Sequence, residues 1–262
     1  MKHAGSFVAS LMIGVTAAAA PKPGERLSFV SCPIVRDTSS VPCWLAEFEG
    51  ETYFLTLQTD VSAPVTPPWL GHRVLVEGVV ADEPGICGGR VIKPVTLSVL
   101  PELDASCNTV LPAEDRYDLT FEPPRPPGPS RGRLAFGDPV TRAASDAAPA
   151  AQLEYSLAYE FDGMVAFRHA QILQKIFDAA RASRATEVRI VGYRSASRLS
   201  NGSTMREHDD IAQRRAEQVR ELLIGAGLDS VSYSVQWKDL AKRPDGRGDA
   251  ANRRVDVTLL TR

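Results

Sequence analysis

The segment at 123–129, Pro-Pro-Arg-Pro-Pro-Gly-Pro, constrains this chain more than any other feature. Proline holds φ near about −65° and offers no backbone donor, so neither a helix interior nor a sheet interior can run through such a stretch. The chain must therefore fold in two pieces, one on each side. With 262 residues in all, each piece is long enough to bury a core of its own. The stretch after the prolines is rich in Ala, Ser and Asp, and residues 113–151 read together as a linker.

Before the linker the pattern is short β-type runs at 27–31, 43–48, 53–57, 73–80 and 91–99, divided by turn residues such as Gly50, Pro67, Gly71, Pro84 and Gly88. Residues 20–112 are thus predicted to form a small all-β domain, either a barrel of the OB type or a sandwich. Trp44, Tyr53 and Trp69 are candidates for a binding face there, although aromatic residues in a small β domain more often belong to the core.

All four cysteines, Cys32, Cys43, Cys87 and Cys107, fall within this half. An even number confined to one region predicts two disulfides. The local pairs Cys32 with Cys43 and Cys87 with Cys107 are preferred, because each closes a short loop. A zinc site built from the four thiolates is disfavoured, since no Cys-x-x-Cys spacing brings two of them together, and no metal or cofactor is expected.

Oxidised cysteines fit the first residues. Lys2 and His3 precede an apolar run over 7–20 that ends in alanines. This is the pattern of a secretory signal peptide, with cleavage expected after Ala19 and Ala17 as the companion small residue. The run is shorter than the ~20 residues a bilayer span requires. No second long apolar run follows, so the mature protein is expected to carry no transmembrane segment. The balance of 30 basic against 32 acidic residues argues against a nucleic-acid partner.

After the linker the periodicity switches. Leu153, Tyr155, Leu157 and Tyr159 alternate as in a strand with one buried face, and Ala170, Leu173, Ile176, Phe177 and Ala180 recur at helical spacing. A strand at 187–193, a polar loop at 194–207, a helix from about Asp210, and strands at 231–237 and 254–260 complete a βαβαββ order. Asp210 and Gln213 have the spacing of a capping box. Such an order predicts an α/β domain with the helices on one face of a mixed sheet.

Residues 153–262 resemble the OmpA-like C-terminal domain of Gram-negative envelope proteins. The resemblance rests on the element order, on Phe161-Asp162 after the first strand, on the helix segment 208–216 with Arg214-Arg215-Ala216, and on Asn252-Arg253-Arg254-Val255 before the last strand. It implies a periplasmic protein, associated with the outer membrane or the cell wall, that binds peptidoglycan without covalent attachment. In that family an Asp and an Arg grip the diaminopimelate of the stem peptide. A carboxylate suits the ligand ammonium, and a guanidinium fork suits its carboxylate.

Carried over by position, the Arg is Arg215, while the family segment Gly-His-Thr-Asp corresponds here to Gly192-Tyr193-Arg194-Ser195. The ligand-binding candidates are therefore Arg215, Ser195, Tyr193, Asp209, Asp210 and Asn252. With Ser195 where the Asp should be, murein binding is expected to be weak or altered, unless Glu207, Asp209 or Asp210 supplies the missing carboxylate. In the alternative reading the domain is a scaffold for protein contacts in an envelope assembly and does not bind murein. In either case the β domain is the expected surface for an envelope protein partner. The alternative for Arg215 is a simple pair with Asp209, Glu217 or Glu221 on a solvated helix face. No nucleophile elbow, metalloprotease motif or phosphate loop is present, so the chain is expected to be no enzyme.

Overall fold

The computed structural model describes residues 21–58, 65–117, 119, 152–166 and 169–261. The leader at 1–19 and the proline-rich core of the linker lie outside these residues.

The first half contains seven strands: β1 (Arg26–Ser31), β2 (Pro33–Arg36), β3 (Cys43–Phe48), β4 (Glu51–Leu57), β5 (His72–Val80), β6 (Arg90–Leu103) and β7 (Thr109–Leu111). They form one sheet in the order β1-β5-β6-β4-β3-β2-β7. Only Cys32 separates β1 from β2, so strands near opposite ends of this order belong to one continuous stretch of chain. Leu27, Phe29, Tyr53, Leu55, Val74 and Val76 fill the interior, with Phe29 stacked on Phe48 at 4.6 Å. Trp44 is buried with them and Tyr53 is fully enclosed, whereas Trp69 is 61% exposed.

The disulfides join Cys32 to Cys107 and Cys43 to Cys87, which overturns the expected local pairs. Sheet pairing is the reason. The short strand β7 lies parallel to β2, which brings Cys107 beside Cys32. Likewise β4 bridges β3 and β6, so Cys87, just ahead of β6, meets Cys43 at the start of β3. Loop length ranked these pairings in the wrong order because it ignores which strands are neighbours.

The second half comprises β8 (Leu153–Ala158), α1 (Ala170–Ser183), β9 (Glu187–Arg194), β10 (Ala196–Arg198), β11 (Thr204–Arg206), α2 (Ile211–Gly225), β12 (Ser232–Asp239) and β13 (Arg254–Leu260). Four of these strands make a sheet in the order β12-β9-β13-β8, parallel only between β12 and β9. Alternate residues Val188, Ile190, Val255, Val257 and Leu259 are fully buried, and they pack with Ile176, Ala180, Ala216, Val219 and Leu223 of the two helices. α1 stops where Arg184 turns left-handed at φ 51° and Ala185 N–H bonds back to Ala180 O. α2 stops at Gly227, φ 99°, where Leu228 N–H returns to Leu223 O.

Two local expectations fail. The polar stretch at 194–207 is a β10–β11 hairpin inserted between β9 and α2. Asp210 does occupy the N-cap of α2, but its side chain makes no capping bond and lies instead near Arg214 at 3.7 Å.

The halves are in contact along a seam made by that hairpin. Leu199 and Met205 of the hairpin region pack with Phe161 against Val30, Leu75 and Leu100 of the β domain. Ser200 N–H donates to Ser28 O at 2.7 Å, and Ser28 N–H donates to Ser200 Oγ at 2.9 Å, along the outer edge of β1. Phe161 N–H donates to the buried Ser98 Oγ at 2.8 Å.

Gly192 sets the distance between α2 and the sheet. A Cβ there would stand 2.0 Å from Ala212 O, a backbone atom that cannot yield without moving the helix. Gly192→Ala should therefore lower unfolding stability by about 1–3 kcal/mol or more, the cost of overpacking a tight core. Urea unfolding measures it, and a loss below about 0.5 kcal/mol, within the range of ordinary surface substitutions, would mean that α2 is free to lift off the sheet.

Candidate functional site

The helix periodicity of α2 turns Ile211, Ala212, Arg215, Ala216, Val219 and Leu223 toward the sheet, so a guanidinium is carried into an otherwise apolar face. Arg215 is fully buried there. Burying a charge is tolerated only when it is neutralised and its donors are satisfied. Both conditions are met from within the chain. Arg215 Nη2 donates to Glu207 Oε1 at 2.7 Å and Nη1 to Glu207 Oε2 at 3.3 Å, a two-pronged grip on one carboxylate. Its remaining N–H groups reach three carbonyls: Nε to Gly163 O at 2.8 Å, Nη1 to Tyr193 O at 3.3 Å and Nη2 to Glu160 O at 2.9 Å. The Tyr159 ring lies 4.7 Å from the guanidinium carbon. Every N–H of the guanidinium is thereby committed.

Glu207 follows directly on β11, so it is the inserted hairpin that delivers this carboxylate. It is as deeply buried as its partner. Beyond Arg215 it accepts Ser195 N–H at 2.8 Å on Oε2 and Asp162 N–H at 3.0 Å on Oε1. Two backbone amides and an arginine fork converge on one carboxylate, an arrangement that holds an anion without help from solvent.

The other candidates are dispersed around this pair. Ser195 is buried, and its Oγ donates to backbone carbonyls, with Asp249 O at 3.0 Å, so it faces no open site. Tyr193 stands half-buried under Arg254, whose guanidinium carbon is 4.3 Å from its ring. Burial pushes the Tyr193 phenol above its ordinary range, and the nearby Asp256 carboxylate adds to the rise. Asp209 extends into solvent and pairs with Arg194 at 2.5 Å, and Asp210 is also exposed. Asn252 ends the short 3-10 turn Ala250–Asn252, where its N–H donates to Asp249 O. The expectation of Arg215 pairing with Asp209, Glu217 or Glu221 on a solvated face is not met, because Arg215 faces the sheet. His208 Nδ1 lies 3.0 Å from Asp162 Oδ2, and Asp162 also caps His208 N–H.

Sequence reasoning overlooked a second buried arginine. Arg253, in the Asn-Arg-Arg-Val segment, is fully enclosed and crosses the seam to Glu77 of β5. Arg253 Nη1 also donates to Ser197 Oγ at 2.8 Å, and that hydroxyl in turn donates to Glu77 Oε1 at 2.8 Å. The available signal was the doublet Arg253-Arg254. The doublet stands at the entrance to β13, whose alternate residues are buried, so extended backbone would send two adjacent arginines to opposite sides.

No protein-family model matches this chain, and no curated protein matches it. Several solved structures are similar over part of it. The cell wall anchor of the T6SS from Pseudomonas aeruginosa is 20% identical over 42% of this chain and 82% of that one, with a TM-score of 0.34. The OmpA-like domain of FopA1 from Francisella tularensis is 14% identical over 42% and 75%, with a TM-score of 0.33. A putative MotB-like protein from Desulfovibrio vulgaris is 17% identical over 43% and 80%, with a TM-score of 0.35. All these scores lie below 0.5.

Removing one member of a buried pair strands the other charge, at a cost of about 3–5 kcal/mol. Arg215→Met and Glu207→Leu should each lose that much. The double variant, which leaves neither charge behind, should lose clearly less than the sum of the two. Urea unfolding of the three variants measures the coupling, and strictly additive losses would show that the two side chains do not depend on each other.

Proposed function

We propose that this chain is an exported, non-catalytic protein of the bacterial cell envelope, in which an OmpA-like module acts as an interaction scaffold and does not grip murein in the family's usual way. One observation carries the reading: Arg215, the residue matched to the family's ligand-binding arginine, is fully buried with each N–H committed inside the protein. A stem-peptide carboxylate would have to displace Glu207 and leave that carboxylate without its guanidinium. The absence of an acid at Ser195 supports the same conclusion for the ligand ammonium.

The signal-peptide pattern at 1–19 supports export, and two disulfides suit an oxidising compartment. No helix among the described residues is long and apolar enough to cross a membrane. We read the N-terminal sheet, residues 20–112, as an OB-type barrel in which β1 and β2 form one strand bent at Cys32, pairing with β5 through its first part and β3 through its second. The module at 152–262 docks on it across the seam. Trp69, 61% exposed, and Leu103, 83% exposed, lie beside His72 and offer an apolar surface to an envelope protein partner.

Co-sedimentation of residues 20–262 with purified diaminopimelate-type peptidoglycan tests this reading. The wild-type protein should stay in the supernatant. Pelleting that is lost in a folded Arg215→Lys protein would overturn the scaffold and establish a murein tether.

A further inference from the structure

Two cavities lie at the seam, lined by residues of both halves. The wider is a groove of about 470 Å³ lined by Gly24, Arg26 and Ser28 of the β domain and by Arg198, Ser200 and the loop carrying Asp245 and Arg247. A recess of about 100 Å³ continues from it, sharing Arg26, Ser28 and Arg247. The three arginines come from three separate segments: the first residue of β1, the last of β10, and the turn ahead of Asp249. All three are exposed, and none forms an ion pair among the described residues.

The acids nearby do not cancel this charge. Asp249 and Glu77 are turned to other tasks, Asp249 holding the N–H groups of Arg198, Asp245 and Gly246, and Glu77 holding Arg253. Asp245 alone brings a carboxylate to the groove wall, and its Oδ1 accepts Arg247 N–H at 2.7 Å and Gly248 N–H at 3.2 Å. Hydrogen bonds to backbone N–H groups leave the charge of Asp249 in place, so across groove and recess three guanidinium groups face the two carboxylates of Asp245 and Asp249, an excess of one positive charge. A second observation is independent of these charges. Ser28, 8% exposed, lines both cavities, and its Oγ has no hydrogen-bond partner among the described residues. Buried hydroxyls are ordinarily satisfied, so the Ser28 Oγ is a donor just behind the cavity wall for which the described residues supply no acceptor.

We propose that this groove binds a phosphate group. A phosphate monoester carries about −1.5 to −2 charges near neutral pH, opposite in sign to the excess on the wall, and its oxygens suit the planar fork of arginine. One wall comes from each module, so a bound phosphate bridges the seam and strengthens the docking of the two halves. The site is separate from Arg215, and its failure would leave the scaffold reading untouched.

Inorganic pyrophosphate is the first probe, titrated into residues 20–262 by calorimetry at two salt concentrations. Binding should saturate, raise the melting temperature and weaken with added salt, as exposed charge contacts do. Arg26→Gln and Arg198→Gln should each weaken it by about tenfold, equivalent to ~1.4 kcal/mol, without lowering the melting temperature of the free protein. Flotation with phosphatidylcholine vesicles, with and without phosphatidic acid, identifies the source. Flotation that needs both phosphatidic acid and the arginines assigns a lipid headgroup, whereas pyrophosphate binding without flotation assigns a soluble or glycan-borne phosphate. The site is refuted if nothing saturates, or if the triple variant Arg26→Gln/Arg198→Gln/Arg247→Gln binds as tightly as the wild type.

Discussion

Two buried guanidinium groups, each needing a carboxylate, dictate how the second half of this protein is arranged. A charge deep among apolar side chains is tolerable only with a partner and a full set of acceptors. Arg215 finds its carboxylate through the hairpin that leads into Glu207 and its other acceptors in the carbonyls of Glu160, Gly163 and Tyr193, and Arg253 finds its partner in Glu77 on β5. The hairpin is held on one side by its acid and on the other by Leu199 and Met205 against the β domain. The proline-rich segment reads as a spacer between independent modules, yet the modules it joins share a buried ion pair.

The same pairing accounts for the chemistry of the candidate site. An arginine fork with two converging backbone amides is well suited to a carboxylate, and here the protein supplies that carboxylate itself. The segment between β9 and α2 therefore decides what Arg215 can bind, by bringing Glu207 to it. Position in a motif identifies the element that carries a side chain. What the side chain is free to bind depends on what else reaches it.

Much of the secondary structure was legible in the sequence, because alternation and helical spacing record which face is buried. The run at 43–48 coincides with β3, and the runs at 27–31 and 73–80 differ from β1 and β5 by one residue. Long-range pairing was not legible. Cys107 meets Cys32 only because the three-residue strand β7 lies beside β2, and so short a strand leaves almost no periodic trace. The hairpin escaped for a similar reason: β10 and β11 have three residues each, and a polar stretch of that length looks like a loop. Glu207 and Glu77 look like ordinary surface acids, since nothing local distinguishes a carboxylate that will be buried against an arginine from one that will face water.

Glu77 and Arg253 stand 176 residues apart, with the acid on the portion of the chain made first. Under the export proposed above, a chain threaded from its N-terminus would bring the β domain and its cysteines into the oxidising compartment ahead of Arg253. When the last strand arrives, it completes its core against a surface already in place. The β domain thus offers the module that follows a surface that already carries Glu77. A fragment beginning after the linker would leave Arg253 without Glu77, its carboxylate in the intact chain, and gene rearrangements that separate the two halves would part that pair.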